Sequence, residues 1–547
     1  MIPLSFAQQR LWFLSRLEES GATYNIPLVL RLRGALDPGA LHAALTDLVA
    51  RHEVLRTVFP EAADGTPFQH VLEEWSVPMP VEAISEAALP AAIARHAGHT
   101  FALTTEIPLS ARLFALAVDD HVLALVVHHV AGDGWSMGPL ARDLSAAYRA
   151  RCSGTAPTFD ELPVQYADYA LWQRDLLGEA DDPDSLLAAQ LAYWRRALDG
   201  IPDELTLPGA RPRPAVASHR GGLVEVTLGA GLHARLGAFA RGASATPFMV
   251  LQAGLAVLLS RLGAGPDIPL GTPVAGRTDD ALNDLVGFFV NSLVVRVRVA
   301  GAFADVVHQV RSTTLDAMSH QDVPFERIVE DLAPARSLAR HPLFQVMLGM
   351  QNTATPTLDL PGVEASLLPT GSAPAKFDLD LSFTELPGGG MRGRITYAAD
   401  LFDAEAVQGL ADRLVHLLDR AIDRPDLPIA NLDILTADER HRILVGWNDT
   451  SRSYAPATLP GLFEAQAAAT PDAPAVDAVT YRELSDRVSR LAGVLATRGV
   501  GPETRVAVVL PRSVDLIVVL LAVMRAGGAY VPVDPDYPAD RIAFVIA

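Results

Sequence analysis

The stretch His121-Val-Leu-Ala-Leu-Val-Val-His128-His129-Val-Ala-Gly132-Asp133-Gly134-Trp135-Ser136 reveals more about this 547-residue chain than any other. Its apolar run, mostly leucine or β-branched, is too short for a globular helix and fits a buried strand. The run ends in two histidines, and Gly132-Asp133-Gly134 predicts a tight turn. Ser136 is then placed to cap a helix whose apolar positions Leu140, Leu144 and Tyr148 recur near helical spacing. Neighbouring side chains on a strand point to opposite faces. One of His128 and His129 therefore reads as a structural residue of the interior and the other as facing a cavity. An imidazole exchanges a proton near neutral pH, so the second is a candidate for acid–base work.

The remaining composition sets bounds. A chain of this length exceeds one core and points to roughly three or four domains or lobes. With 44 basic and 64 acidic residues the net charge is −20, which argues against a nucleic-acid or anionic-membrane surface. Lys376 is the single lysine. The lone cysteine, Cys152, rules out an internal disulfide and a multi-cysteine metal cluster, and suits a reducing compartment. The amino terminus has no basic start followed by an apolar core, and the Leu516 to Met524 run is too short to span a bilayer. A soluble cytoplasmic protein, binding neither membrane nor nucleic acid, is expected.

Along the chain, Ser5 to Leu14 reads as a capped amphipathic helix start, Tyr24 to Leu32 as a strand and Pro38 to Val58 as a helix ending in Arg51-His52-Glu53-Val54-Leu55-Arg56. Tyr166, Tyr169 and Trp172 form an aromatic cluster at helical spacing, a pattern of core packing. The acidic stretch Gly178 to Ser185 reads as a hinge. Beyond it, Gly222 to Leu228 alternates as a strand, Pro247 to Arg261 reads as a long helix, and Gly271-Thr-Pro-Val-Ala-Gly-Arg277 as a glycine-punctuated loop. Val286-Gly-Phe-Phe-Val-Asn291-Ser292-Leu-Val-Val-Arg296 reads as a buried strand with a polar interruption, which marks a bulge or a pocket wall.

The pattern His-His-x-x-x-Asp-Gly over His128 to Gly134 resembles the signature of the chloramphenicol-acetyltransferase-like superfamily. Ser5 to Leu14, Arg51 to Phe59, Gln165 to Arg174, Gly287 to Ser292, His320 to Glu326 and Arg336 to Phe344 resemble further motifs of one member, the condensation domain of non-ribosomal peptide synthetases, in the same order. The resemblance runs to about residue 435. It implies an α/β fold of two acetyltransferase-like lobes in a V, residues 1–177 and 178–435, with the active site between them. A linker, 436–459, then leads to 460–547, where Thr480-Tyr-Arg-Glu-Leu and Ala522 to Asp534 resemble the beginning of an adenylation domain. The glycine- and Ser/Thr-rich phosphate loop of such a domain and any carrier-protein site are absent, so the chain is expected to be a truncation or a fragment of a longer synthetase.

The implied reaction is aminolysis of a thioester. The partners are donor and acceptor peptidyl carrier domains, whose phosphopantetheine arms carry the peptidyl and aminoacyl thioesters; no covalently bound cofactor and no metal are expected. His129 is the residue expected to receive a proton from the attacking amine or to hold it, His128 to be structural, and backbone N–H groups around Gly134 to face the oxyanion. Asp133 is expected to hold the loop by an ion pair to Arg277 across the lobe junction, with Trp135, Asn291, Ser292 and Arg56 around the tunnel. Glu53, Gly132 and Trp135 resemble domains that take an L-configured donor. The alternatives are an epimerisation domain, which needs its own glutamate motif, and a stand-alone acyltransferase. A docking scaffold of the same fold would have lost the histidine, which is present here. A cyclisation domain, with aspartates in place of the His pair, is excluded.

Overall fold

Asp120–His128 forms the expected strand and lies at the centre of a five-stranded sheet. The order among the described residues is Val363–Leu367, Asn25–Gly34, Asp120–His128, Leu109–Ala117, Val81–Ala83. Leu123, Leu125 and Val127 pack toward helices Pro38–Arg51 and Met137–Cys152, while Val122 and Ala124 pack toward helix Leu89–Ala97. Both faces are covered, which explains an apolar run where a half-exposed strand would alternate. The computed structural model describes residues 1–547 except 18–21, 335–336, 352–356, 369–373 and 455. Arg336, at the head of the last motif, thus lies outside the described residues.

The first lobe departs from its expected limits. Its edge strand Val363–Leu367 comes from far down the chain and pairs antiparallel with Asn25–Gly34, so residues 1–177 alone do not complete this sheet. Covering the free edge satisfies backbone groups that would otherwise face solvent. The helix expected over Pro38 to Val58 stops at Arg51. Asp37 caps its start by accepting from the N–H groups of Gly39 and Ala40. At its end His52 turns extended, and its ring Nε2 lies 2.9 Å from Asp143 Oδ2. Glu53–Arg56 then makes a 3₁₀ turn, and the β-branched Thr57–Val58 pairs with Val71 and His70.

Among the described residues six strands form the second lobe's sheet, in the order Asn291–Arg298, Asp267–Val274, Val346–Gln351, Leu379–Glu385, Met391–Ala398, Gly221–Leu228. Parallel and antiparallel pairs are mixed. Alternation again assigns the faces. Leu379, Leu381, Phe383 and Ile395 pack on helices Ala230–Gly242, Pro247–Leu259, Phe303–Met318 and Ala404–Asp423, whereas Asp380, Ser382 and Thr396 turn toward the first lobe. Pro247–Ala264 is long and apolar enough to cross a membrane by composition. It is packed in the middle of this lobe, so closely that a Cβ on Gly254 would stand 2.5 Å from Leu418.

The chain divides into two compact units, Met1–His441 and Arg442–Ala547. The first part of the expected linker is a helix, Ala437–Leu444, whose Glu439 accepts from Arg413 Nε at 2.8 Å. In the second unit, parallel strands Arg505–Val509 and Ala529–Val533 are joined through helix Val514–Arg525, which packs on helix Tyr481–Thr497.

Candidate active site

His128 is the last residue of its strand, and His129 begins a 3₁₀ turn, His129–Ala131. Strand alternation alone therefore does not set their directions; the turn does. His128 is buried, its Nδ1 accepts the Val130 N–H at 3.1 Å, and its ring meets Phe101 edge-on at 5.8 Å. Burial, helped by the positive charge of Lys376, pulls its pKa down to about 4, so the ring is neutral. His129 is half-buried. Its backbone N–H donates to Tyr24 O at 2.8 Å, and its ring stands edge-on to Phe288 at 5.2 Å. Its Nδ1 is buried with no hydrogen-bond partner among the described residues. Burial first, then Lys376 and His128, hold its pKa well below the ordinary value.

The turn after the histidines differs from expectation in its backbone and in what Ser136 does. Gly132 is extended, with φ −170°, and neither it nor Gly134 takes the left-handed conformation. A Cβ at Gly134 would meet no protein atom within 4 Å, and its N–H donates to no protein acceptor among the described residues. Ser136 stands at the N-cap of helix Met137–Cys152 but makes no side-chain cap bond. Its hydroxyl lies 2.9 Å from both Asp133 Oδ1 and Gly287 O, one of which takes its proton, and it accepts from Gly287 N–H and Arg277 Nη2 at 3.2 Å.

Asp133 is fully buried and holds the second lobe chiefly through backbone. Its Oδ2 accepts from Phe289 N–H at 2.9 Å and Val290 N–H at 3.3 Å, and its Oδ1 from Ser136 N–H at 2.9 Å. Arg277 is 3.5 Å away, an ion pair longer than these bonds. Its guanidinium donates to the carbonyls of Leu282 and Leu285 and lies 4.2 Å over the Phe289 ring. Tyr166 completes the clasp: its hydroxyl donates to Phe288 O at 2.6 Å and meets Ser5 Oγ at 2.9 Å. This explains why the strand expected from Val286 begins only at Asn291. Residues 287–290 spend their backbone groups on Asp133, Ser136 and Tyr166 instead of a neighbouring strand. Gly287 is required there, because a Cβ would stand 2.1 Å from Tyr166.

The other expected site residues are held by separate sets of contacts. Trp135 is half-buried beside the turn. Asn291 ties the start of its strand to the segment at 321–325: its amide donates to the Gln321 and Val323 carbonyls and its oxygen accepts from Phe325 N–H. Ser292, half-buried, follows it opposite Pro273. Arg56 is not among the residues that line the cavity of about 540 Å³ between the lobes; it donates to Leu72 O and Glu53 and stacks over Trp75 at 4.8 Å. Three residues went unread as site components. Gln8 reaches from the first helix to donate to Val130 O, and Asp380 lines the cavity, where burial raises its carboxyl to about 6 against the pull of Lys376. Lys376 itself lies 5.2 Å over the ring of Tyr24, whose carbonyl holds His129. Its being the sole lysine was the available signal.

Comparison with known proteins places this geometry. The Condensation domain family model matches residues 1–444, and an AMP-binding enzyme model matches 463–547. The chain is 51% identical to a dimodular nonribosomal peptide synthase of Bacillus subtilis over its full length, which is 23% of that protein, and 46% identical to an isonitrile lipopeptide synthase of Mycobacterium tuberculosis, of which it covers 22%. It thus spans less than a quarter of these relatives. The crystal structure of the X-domain from teicoplanin biosynthesis matches 79% of this chain and 98% of its own, with 40% identity and a TM-score of 0.75. The chain belongs to the condensation-domain family of the nonribosomal peptide synthetases and continues into an AMP-binding segment.

Proposed function

We propose that Met1–His441 joins two carrier-bound substrates by aminolysis. The acceptor amine attacks the donor thioester carbonyl; the C–N bond forms, the C–S bond breaks, and the amine's proton passes through the site to the departing thiolate. The observation that carries this reading is the contrast at the strand end. His129 is half-buried at the end of the strand whose Val127 lines the cavity between the lobes, and five residues on the Gly134 N–H meets no protein acceptor among the described residues, while the Asp133 carboxylate and the Ser136 hydroxyl are engaged. An ammonium of pKa about 8 transfers its proton poorly to an imidazole held far below that value. His129 therefore serves best by accepting a hydrogen bond from an amine that arrives neutral, and the charge of Lys376 disfavours the protonated form. Gly134 N–H is placed to stabilise the oxyanion. The donor is an L-configured acyl or peptidyl thioester, and the partners are donor and acceptor carrier domains with their phosphopantetheine arms. A cytoplasmic setting suits the single free Cys152.

Mass spectrometry after mixing the chain with two loaded carrier domains tests this. Transfer of the donor acyl group onto the acceptor carrier is expected; an inverted α-carbon on an unchanged carrier would point to epimerisation instead. The 40% identity to an X-domain also described in complex with OxyB favours a second reading, a module that recruits another enzyme. On that reading no amide forms and a partner enzyme binds.

A further inference from the structure

A cavity of about 540 Å³ opens between the lobes beside Gly134. Its first-lobe wall is made of core side chains, among them Leu45, Leu48, Leu125, Val127, Leu140 and Leu144, each at most 8% exposed. Its opposite wall is the polar sheet face with Asp380, Ser382, Arg394 and Thr396. Packed interiors rarely hold voids larger than a water molecule, and a space of this size falls in the range of small-molecule pockets. Among the described residues no aromatic ring lines it, so no ring there offers a stacking surface to its occupant. The strand positions Leu125 and Val127 lead along one face of Asp120–His128 to the turn that carries His129.

We infer that this cavity receives an extended aliphatic group of one of the two thioester substrates, either the donor acyl chain or the acceptor side chain. The inference rests on the condensation reading and names the substrate class for it. Burying one methylene is worth about 0.8 kcal/mol, which is about fourfold. The full chain is assayed with two arms of pantetheine thioesters. In one, acetyl to decanoyl donors meet a glycyl acceptor; in the other, an acetyl donor meets glycyl to norleucyl acceptors. In one arm kcat/KM should climb about fourfold per methylene until the cavity is full; flat or falling series in both arms, or preference for charged chains, would overturn the inference. Ala141→Phe, which fills the cavity, should collapse the long-to-short ratio, and Leu48→Ala should move the optimum to longer chains if the first variant melts early. Calorimetric binding separates the two readings. If no substrate pair yields an amide but decanoyl- or norleucyl-pantetheine binds the chain at least tenfold more tightly than acetyl- or glycyl-pantetheine, the cavity assignment stands and the condensation reading falls. Equal affinities across both series sink the cavity assignment.

Discussion

Two sets of polar groups, interleaved within the eight residues 129–136, behave in opposite ways. Asp133 and Ser136 are saturated: between them their side chains engage five backbone N–H groups and Arg277, and they bind one lobe to the other. Among the described residues His129 and Gly134 are unsaturated, one with a partnerless ring nitrogen and one with an unused amide. A buried polar group left unpaired costs free energy, so it persists where a substrate completes it. The saturated set builds the junction; on the proposed reading the unsaturated set meets the substrates. Mutations should separate the two.

The largest expected effect is at the clasp. Asp133→Ala strands two backbone N–H groups of the 287–290 segment and leaves Arg277 buried without its carboxylate, a loss of about 3–5 kcal/mol for a broken buried pair. Urea unfolding should report it together with lost condensation. An inactive variant of wild-type stability would break the comparison by making Asp133 chemical.

Next comes pH. In the folded chain burial holds His128 at about 4, while an unfolded histidine titrates near 6.5. Between those values the unfolded chain binds a proton that the folded chain refuses. Stability is therefore intact above pH 6.5 and falls as pH drops toward 4, by about 3 kcal/mol from this residue. Melting curves at stepped pH check it, and His128→Asn should flatten the slope while lowering stability at neutral pH, since Val130 N–H loses its ring acceptor.

Gly287→Ala drives a methyl into Tyr166 and should cost about 1–3 kcal/mol, as overpacking does. Tyr166→Phe in the same background tests whether the ring or the hydroxyl is at fault: relief of the clash is not expected, because the contact is with ring carbons.

His129→Ala should leave melting unchanged and lower condensation. A loss near tenfold, about 1.4 kcal/mol, marks amine positioning, and about 10²–10⁴-fold marks proton transfer. The depressed pKa of His129 favours the smaller figure. An unchanged rate, with His128→Ala stable but inactive, would invert the roles of the pair. The smallest effect concerns the donor. Competition between L- and D-terminated donors should favour L, and preferential turnover of D would remove that reading of Glu53, Gly132 and Trp135.

Much of this was legible in the chain. The apolar run before His128 has the length and residue types of a strand covered on both sides, because burial on two faces leaves no room for alternation. Ordered motifs named the family, since spaced residue types survive in one dimension. Alternation in Leu379 to Phe383 likewise foretells one apolar and one polar face. What the sequence could not supply was pairing across long separations. Nothing local says that Val363–Leu367 will close the first lobe's sheet, that Ser136 will abandon its helix for Gly287, or that the residues after Val286 will bond to Asp133 and Tyr166 in place of a strand. Those outcomes depend on which backbone groups lack partners once both lobes have formed, and on the clearance that Gly287 leaves for one tyrosine ring. Local pattern determined the elements; the need to satisfy buried polar groups across the junction, a condition only three dimensions impose, decided the site.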